Sequence, residues 1–386
     1  MTDRVSAAVA RARAHGAAPS RVPVRWLAVG DPQTSSERFF RFLDRAGALG
    51  DDGWLNPEVG LVSIGDHFDY GRSENADEAA TQGLAILRWL AAHPPERVLL
   101  IAGNHDLSRV TELAFESDAS FADARKLVSD IAKQSDPTPL RAEFGRRFPH
   151  IPTPELAARD YAAFREEQRA LVQQLLLDGR FVLGAATELD GAPALLVHAG
   201  LSLRELDILG IPEVRDPAAI ARALNDWLTA AVARVEGAWR RGEQAALALE
   251  PLHVAGTTGL EGGGFLYHRP VNSQRPNGRE TASDLASDRP RRFDATRLPR
   301  GLLQIVGHTA HKRSREELVP WVTPQADAVL RGGGLRTLRM DDAPVYDRGV
   351  LPHHAGAATV VMIDCAMSDD ELDDIELLPI APPNRG

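Results

Sequence analysis

Five short apolar segments recur along the chain, and a glycine or a polar residue directly follows each of them. Each segment is four to six residues long and consists mainly of aliphatic side chains, which is typical of a strand buried on both faces. The pattern therefore predicts buried strands at residues 24–29, 60–64, 98–102, 194–197 and 302–306.

A metal-ligating residue type follows each of these predicted strands. In an open α/β sheet the carboxyl ends of the strands gather at one edge, and the neighbouring glycines allow the backbone to turn sharply there. A single Gly-Asp pair after a strand is a common turn, but five polar ends in succession favour one metal centre. Carboxylate, amide and imidazole groups suit manganese, iron, zinc or magnesium. The candidate ligands are Asp31, Asp66, Asn104, His198 and His308.

Two long stretches between the strands predict helical insertions, at about residues 110–180 and 203–250. Thr153-Pro154 and Asp216-Pro217 each have the form of an N-cap followed by proline in the first helical turn. Apolar residues then recur at helical spacing, which indicates core packing, with a substrate-lining lid as the alternative. The polar stretch at about 271–300 predicts a long mobile loop.

Charge and composition bear on partners and location. The formal net charge is −10, and no basic stripe of the kind that binds DNA or RNA is present, so we expect no nucleic-acid partner. No apolar run approaches the roughly 20 residues that span a bilayer, so no membrane partner is expected. The single cysteine, Cys365, has no partner for an internal disulfide, which favours a cytoplasmic protein.

The ends of the chain differ in composition from the middle. Residues 1–20 are rich in Ala and Arg and predict a helical or flexible segment, with an organellar transit segment as the alternative. Residues 366–386 contain six acids and one base and predict a solvated acidic tail. The remaining range, 21–365, is predicted to form one domain.

The polar blocks occur in the order found in the calcineurin-like metallophosphoesterase superfamily, and the chain most closely resembles its phosphoprotein-phosphatase branch. The resemblance covers residues 24–311, and only the ordered set makes it specific. It implies an α/β fold, a four-layer αββα sandwich with helical insertions. The blocks are Gly30-Asp31-Pro32-Gln33, Gly65-Asp66-His67-Phe68-Asp69-Tyr70-Gly71, Gly103-Asn104-His105-Asp106, His198-Ala199-Gly200 and Gly307-His308-Thr309.

The resemblance also implies roles for these residues. Asp66 would bridge two divalent metal ions, with Asp31 on one of them and Asn104, His198 and His308 on the other. Manganese is the favoured metal, with iron, zinc or magnesium as alternatives. A water between the metals would attack phosphorus in line. His105 would protonate the leaving alkoxide, held in place by Asp69.

Two positions depart from the family pattern near the metal at Asp31. Gln33 stands where the family has a metal-binding histidine, and it either ligates through its side-chain oxygen or only forms hydrogen bonds near the site. His311 follows His308 by three residues, whereas a second family histidine follows by two. It therefore either ligates the same metal or faces substrate or solvent. His67 is expected at the surface or beside the site rather than on a metal.

The phosphate clamp of the family is also altered. Tyr70 replaces the arginine that grips phosphate with a bidentate fork, which a tyrosine cannot form. Arg72 lies two residues further on, and Arg269 lies in an aromatic-x-Arg segment similar to one in related bacterial enzymes. Both are candidate substrate-binding residues, and Arg269 is favoured.

Hydrolysis of a phosphomonoester is the predicted function, with a phosphoprotein Ser/Thr phosphatase as the favoured subclass. A dinucleoside tetraphosphatase, or an enzyme acting on another small phosphate ester, is the alternative, because Asp106 replaces the glutamate of the phosphoprotein branch. Gln33 and Tyr70 also motivate a catalytically inactive scaffold as a third hypothesis. The nuclease and cyclic phosphodiesterase classes fit less well.

Overall fold

The computed structural model describes residues 3–14, 16–70, 75–161, 164–274, 283–329, 334–368 and 372–386. The strands, in chain order, are β1 (Arg25–Gly30), β2 (Val59–Ile64), β3 (Val98–Ile101), β4 (Phe181–Val182), β5 (Gly184–Leu189), β6 (Ala192–Val197), β7 (His253–Val254), β8 (Gly263–Gly264), β9 (Arg269–Val271), β10 (Arg292–Asp294), β11 (Leu303–Val306), β12 (Arg336–Met340), β13 (Val345–Arg348), β14 (Ala358–Met362) and β15 (Leu378–Ile380). All five strands predicted from the apolar segments are confirmed, as β1, β2, β3, β6 and β11.

The helices enclose these strands. They are α1 (Asp3–Arg13), α2 (Ser36–Arg45), α3 (Ala76–Ala91), α4 (Asn104–Leu107), α5 (Asp118–Ile131), α6 (Thr138–Arg147), α7 (Glu166–Leu177), α8 (Leu203–Ile208), α9 (Pro217–Arg240), α10 (His311–Glu317) and α11 (Pro324–Asp327). Within the described ranges, no helix has both the length and the apolar character needed to cross a membrane.

Two large sheets form the centre of the molecule. The first has five strands in the order β15-β1-β2-β3-β4, and the second has six in the order β13-β12-β14-β11-β6-β5. β1 to β4 pair in parallel, and so do β6, β11 and β14. Because parallel strands end at the same edge, the polar residues that follow them are delivered to one edge of each sheet.

Alternating side chains place the strands between two apolar layers. Val62 and Ile101 of the first sheet and Leu196 and Ile305 of the second belong to one buried cluster, so these faces pack on each other. Side chains on the opposite faces pack against α1, α2 and α3 on one side and α9 on the other. Burying such a side chain contributes about 1.5–3 kcal/mol. The predicted α/β sandwich is confirmed.

The two insertions contain helices, but the first differs in detail from the prediction. α9 begins as predicted, because the Asp216 side chain accepts a hydrogen bond from the backbone nitrogen of Ala218. Thr153 likewise accepts from the backbone nitrogen of Leu156. The helix that it starts ends in a π-helical turn, Leu156–Asp160, and α7 begins anew at Glu166.

Part of the range 366–386, which its charge predicted to be a solvated tail, forms a strand instead. Leu378–Ile380 pairs antiparallel with β1, with Trp26 opposite Ile380. This apolar run completes an otherwise open sheet edge, and the acidic count did not reveal it. The loop predicted at 271–300 falls partly outside the described residues, and the rest includes β10, which pairs with β9.

Candidate metal centre

The carboxyl ends of six strands meet where the two sheets adjoin. In the first sheet, Gly30 is level with Ile64 and Ile64 with Ile101. In the second, Val306 is level with both Val197 and Met362. The residues that follow within three positions of these strand ends are Asp31, Asp66, Asn104, His198, His308 and Asp364.

Glycines allow the backbone to approach these carboxylates. A Cβ added at Gly103 would lie 2.2 Å from Oδ1 of Asp66, and one at Gly307 would lie 2.2 Å from Oδ1 of Asp31. Neither position therefore has room for a side chain. The glycines that end the strands are part of the construction of the site.

Several residues of the centre adopt a left-handed backbone conformation. The φ angles are 28° at Asp31, 55° at Asp66 and 59° at His308. Such angles are uncommon for residues other than glycine and persist only when the surrounding structure holds them. Asp31 provides one such restraint, because its two carboxylate oxygens lie 3.0 and 2.9 Å from the backbone nitrogen of His308 and accept its hydrogen bond.

Asp66, His198 and His308 form a buried group that could hold a metal ion. Their potential ligand atoms all lie within 4.8 Å of one another. Nδ1 of His198 lies 2.8 Å from the carbonyl oxygen of Ile64, and its Nε2 lies 3.0 Å from Oδ1 of Asn104 and 3.4 Å from Oδ2 of Asp66. A histidine held at one nitrogen by a backbone carbonyl presents the other in a fixed direction, as metal sites require.

His308 has the side-chain atom that best fits a metal ion. Its Nε2 is buried and has no hydrogen-bond partner among the residues that the structure describes. Leaving a polar atom buried without a partner costs about 1–3 kcal/mol. A metal ion would satisfy this nitrogen together with the carboxylate of Asp66, so the donor set fits a divalent cation that accepts nitrogen and oxygen ligands.

Burial and charge shift the pKa values of the group strongly. Burial raises the pKa of Asp31 well above its usual value, and the nearby Asp364 carboxylate raises it further. For His198, burial lowers the pKa, but the Asp66 carboxylate outweighs it and the pKa rises to about 10. Clusters of mutually shifted groups of this kind are typical of functional sites.

His105 and Asp69 form the pair predicted from the motif. Nδ1 of His105 lies 2.9 Å from Oδ2 of Asp69, and the backbone nitrogen of His105 donates to Oδ1 of Asp66 at 2.9 Å. Nε2 of His105 lies 4.0 Å from Oδ2 of Asp66. The imidazole therefore presents Nε2 toward the metal-binding group, where it could give or take a proton.

Arg109 completes this arrangement, although no motif indicated it. Its guanidinium is buried and reaches Asp69 with two contacts, Nη2 to Oδ1 and Nη1 to Oδ2, both 2.7 Å. Burial raises the pKa of Asp69, but Arg109 and His105 lower it by a larger amount, so the pKa lies below its usual value. A bidentate guanidinium keeps the carboxylate ionised and fixed in direction.

Asp106 holds the loop around Asp66 in place through hydrogen bonds from the backbone of that loop. Its carboxylate accepts hydrogen bonds from the backbone nitrogens of Gly103, Asp66 and His67, at 2.9, 3.0 and 3.1 Å. It also lies 3.0 Å from Nδ1 of His67, whose Nε2 lies 2.9 Å from Oγ of Ser63. His67 is therefore a buried supporting residue, which corrects the surface alternative and agrees with its not being a ligand.

The two departures from the family pattern are placed differently. Gln33 follows Asp31 by two residues, and its side-chain amide nitrogen donates to the carbonyl oxygen of Phe68 at 2.8 Å. His311 is not brought into the group. Its Nδ1 lies 2.8 Å from the hydroxyl of Tyr346, and its Nε2 lies 2.9 Å from the carbonyl oxygen of Val329. Because α10 begins at His311, its ring packs beside the second sheet, and both ring nitrogens have hydrogen-bond partners there, which opposes the predicted ligation.

The structure describes two of the three residues considered for phosphate binding, Tyr70 and Arg269. Arg72 lies outside the described residues. Tyr70 is half-buried and packs against Ala79 and Ala80. Burial lowers the pKa of His308, and the positive charge of Arg269 lowers it further. Arg269 therefore lies near the metal-binding group.

A pair of tyrosines also borders the centre. The hydroxyls of Tyr161 and Tyr267 lie 3.0 Å apart. The ring of Tyr161 lies 6.5 Å from that of His105, and the ring of Tyr267 lies 6.2 Å from that of His308. Tyr161 belongs to a buried cluster of the first insertion, which thereby reaches the site.

Comparisons with known proteins give little more than this geometry. No family model matches the chain, and no curated protein matches it. Among solved structures, a cold-active protein tyrosine phosphatase matches with 14% sequence identity and a TM-score of 0.32, over 77% of this chain and 68% of that one.

Proposed function

We propose that the protein is a metal-dependent phosphoesterase that hydrolyses phosphomonoesters. One observation carries the proposal. The buried group of Asp66, His198 and His308, with an unpartnered nitrogen on His308, adjoins a second buried pair, His105 and Asp69. A cation site beside an oriented imidazole can activate water, offset charge on the phosphoryl oxygens and protonate the leaving group, which supports hydrolysis of a phosphate ester.

The residues present divide into two potential metal sites that share Asp66. Asp31 and Asp66, with Gln33 nearby, would hold one ion, and Asp66, Asn104, His198 and His308 would hold the other. Divalent metal ions, manganese by preference, would activate water and offset negative charge on the phosphoryl oxygens. Nitrogen ligands are confined to the second site, so the two sites are expected to differ in metal preference.

His105 would act as the general acid. Asp69 accepts a hydrogen bond from Nδ1, so Nε2, which faces Asp66, would be the nitrogen that protonates the leaving alkoxide. Such a proton transfer contributes about 10²–10⁴-fold to a rate. Arg109 donates to the carboxylate of Asp69 and to the carbonyl oxygen of His105, and it is a positioning residue.

Arg269 is the residue we propose for binding phosphate. Its cation influences both His308 and Asp364, so a dianionic phosphate at the centre would lie within its field. Tyr70 contributes no charge, because burial and Glu78 raise the pKa of its hydroxyl to about 12.

We propose a phosphoprotein carrying phosphoserine or phosphothreonine as the substrate, and a dinucleoside tetraphosphate or another small phosphate ester as the alternative. The Asp106 position, which favoured the alternative, carries less weight, since its carboxylate is fully engaged in supporting the loop around Asp66. Activity on a phosphoserine peptide and on a dinucleoside tetraphosphate distinguishes the two substrate classes.

The test compares esters on metal-loaded protein. The protein is stripped with a chelator and reloaded with Mn²⁺, and hydrolysis of nitrophenyl phosphate, bis-nitrophenyl phosphate, a phosphoserine peptide and a dinucleoside tetraphosphate is measured. We expect turnover of the monoesters that requires metal and is lost in Asp66→Asn. A preference for the diester would contradict the monoesterase proposal.

A matched control is available for that substitution. Asp190 has a φ of 51°, close to the 55° of Asp66, but lies exposed in the turn between β5 and β6. Asparagine tolerates this conformation as aspartate does, so Asp190→Asn should keep full activity. Metal binding without turnover of any ester would instead support the inactive scaffold.

A further inference from the structure

A cavity separate from the metal centre lies between α8 and β10. Its volume is about 550 Å³, within the range of roughly 300–1,000 Å³ that is typical of small-molecule sites. The described residues that line it include none of the proposed metal ligands and neither His105 nor Asp69. The cavity is therefore a candidate site for a different ligand.

Apolar side chains form one part of the cavity wall. They are Ile208, Leu285, Pro290 and Phe293. The Phe293 ring packs closely against the chain after β6, since a Cβ added at Gly200 would lie 2.9 Å from it. Contact with these side chains removes apolar surface from water, so the wall favours a ligand with an apolar body.

His268 forms the inner end of the cavity. Its side chain is fully buried, and neither ring nitrogen has a hydrogen-bond partner among the residues that the structure describes. Oε1 of Glu205 lies 3.5 Å from Nδ1, beyond the usual hydrogen-bond range of about 2.7–3.2 Å. The carbonyl oxygen of Pro290 also faces the ring, but it accepts the backbone nitrogen of Gly264 at 2.7 Å. Because buried polar atoms are normally satisfied, the ring indicates a ligand that bonds to it.

The imidazole of His268 offers both kinds of hydrogen bond. Burial lowers its pKa, and the nearby carboxylates of Glu205 and Asp284 do not offset this effect. The ring is therefore neutral, with one nitrogen as a donor and the other as an acceptor. A polar group on the ligand can bond to either nitrogen.

Three arginines surround the outer part of the cavity. The side chains of Arg204 and Arg292 are 34% and 28% exposed, and Arg297 is exposed. Arg204 and Arg292 each use one nitrogen on a neighbouring glutamate, at 3.3 and 3.2 Å. Arg297 has no ion-pair partner in the described ranges. Its guanidinium can therefore meet an anion that enters the cavity.

Two carboxylates, those of Asp207 and Asp294, also line the cavity. Asp207 is exposed. Asp294 is engaged locally, because one oxygen accepts from the backbone nitrogen of Thr296 at 2.9 Å and the other from the hydroxyl of Ser273 at 2.6 Å. Three cations against two carboxylates leave one positive charge on the lining, which favours a ligand with a single negative charge.

We propose that this cavity binds a small aromatic carboxylate, with its anionic group at the arginines and its ring against the apolar wall. Guanidinium groups pair with carboxylates and also stack on aromatic faces, so the lining suits both parts of such a molecule. His268 bonds to a polar group at the inner end. The site is independent of the proposed function, because it shares no residue with the metal centre.

The test compares two probes that differ in charge. Mn²⁺-loaded full-length protein is titrated by calorimetry with 2-naphthoate and with the neutral 2-naphthalenemethanol. We expect naphthoate to bind with a Kd of about 1 mM or tighter. The neutral probe should bind about tenfold more weakly, because it lacks the charge-assisted bonds. Absence of naphthoate binding, or equal affinity for the two probes, would overturn the inference.

Two variants locate the bound probe. His268→Phe keeps the ring volume and removes the two nitrogens, and we expect it to bind both probes about tenfold more weakly. Arg297→Ala changes an exposed side chain and should weaken naphthoate binding about fivefold without affecting the neutral probe. Wild-type affinity for naphthoate in either variant would mean that the probe binds elsewhere.

Matched controls separate this site from general charge effects and from the metal centre. Arg300 lies three residues after Arg297, is 67% exposed and does not line the cavity, so Arg300→Ala should bind naphthoate as wild type does. Asp66→Asn should also keep wild-type affinity. Loss of naphthoate binding in Asp66→Asn would place the probe on the metal and contradict the inference.

Discussion

Replacing Asp69 with asparagine keeps the shape of the side chain but removes the charge that fixes His105. In the structure, Asp69 accepts from Nδ1 of His105 at 2.9 Å and receives the guanidinium of Arg109 through two contacts of 2.7 Å. An asparagine can present its amide group to either neighbour, so the imidazole loses both its preferred tautomer and its orientation.

The magnitudes follow from these contacts. Removing one partner of a buried ion pair costs about 3–5 kcal/mol of stability, because Arg109 is left buried without its carboxylate. General acid catalysis contributes about 10²–10⁴-fold, so His105→Asn should lower kcat within that range. Since Asp69 acts through His105, we expect Asp69→Asn to lower kcat by about 10²-fold, or about 2.7 kcal/mol in the barrier.

The assay is a double-mutant cycle measured with two leaving groups. Wild type, Asp69→Asn, His105→Asn and the double variant are compared on nitrophenyl phosphate and on an alkyl phosphate. Nitrophenolate leaves without a proton, so its kcat should fall less than that for the alkyl ester. The double variant should be about as slow as His105→Asn alone, because the two residues act as one unit.

Two results would refute this reasoning. Multiplicative losses in the double variant would mean that Asp69 contributes separately from His105. Equal losses for both leaving groups would mean that His105 does not protonate the leaving oxygen. Chemical denaturation of each variant separates these outcomes from loss of fold.

The remaining predictions concern stability and the construction of the site. Gly103→Ala would place a Cβ 2.2 Å from Oδ1 of Asp66, so we expect loss of Mn²⁺ binding by calorimetry. In Gly237→Ala, within α9, the new Cβ meets only the terminal guanidinium of Arg241 at 3.4 Å, so unfolding should show no loss or a gain of up to about 1 kcal/mol. Burial lowers the pKa of His93 to about 3, and its Nε2 accepts from the backbone nitrogen of Leu55 at 3.2 Å, so the ring stays neutral in the folded state. Below about pH 6.5 the unfolded chain takes up the proton first, and His93 should therefore lower stability by about 1.4 kcal/mol per pH unit down to about pH 3, with no effect above pH 6.5. Between pH 7.5 and pH 5 the free energy of unfolding, measured with urea, should fall by about 2 kcal/mol less in His93→Gln than in wild type, because only the interval below about pH 6.5 contributes.

The sequence predicted the strand ends well because their signal is local. An apolar run followed by a glycine and a ligand type occupies fewer than ten residues, and burial of both sheet faces makes the run almost uniformly apolar. Asp31, Asp66 and His198 could therefore be located without any knowledge of which strands pair. His105 and Asp69 were found through the resemblance, and the structure brings them together as expected.

What the sequence missed depends on distant parts of the chain. Asp364 follows an apolar run of the same kind, but only the pairing of β14 with β11 shows that it reaches the centre. Arg109 has no motif, and its role appears only in its fork to Asp69. His311 could not be judged by spacing, because the start of α10 turns its ring toward Tyr346. The pairing of β15 with β1, which places Pro379 opposite Leu27, likewise joins distant parts of the chain, so no local sequence pattern predicts it.

The separation in sequence between the residues of the centre has a consequence for biosynthesis. Asp31 and Asp66 emerge early from a ribosome, whereas His308 and Asp364 emerge more than two hundred residues later. Until then Asp66 lacks the imidazole of His308, and Asp31 lacks the backbone nitrogen of His308 from which it accepts a hydrogen bond. The nascent chain therefore passes most of its synthesis without the complete group of Asp66, His198 and His308, and a metal ion held by all three would be bound only after His308 has been made.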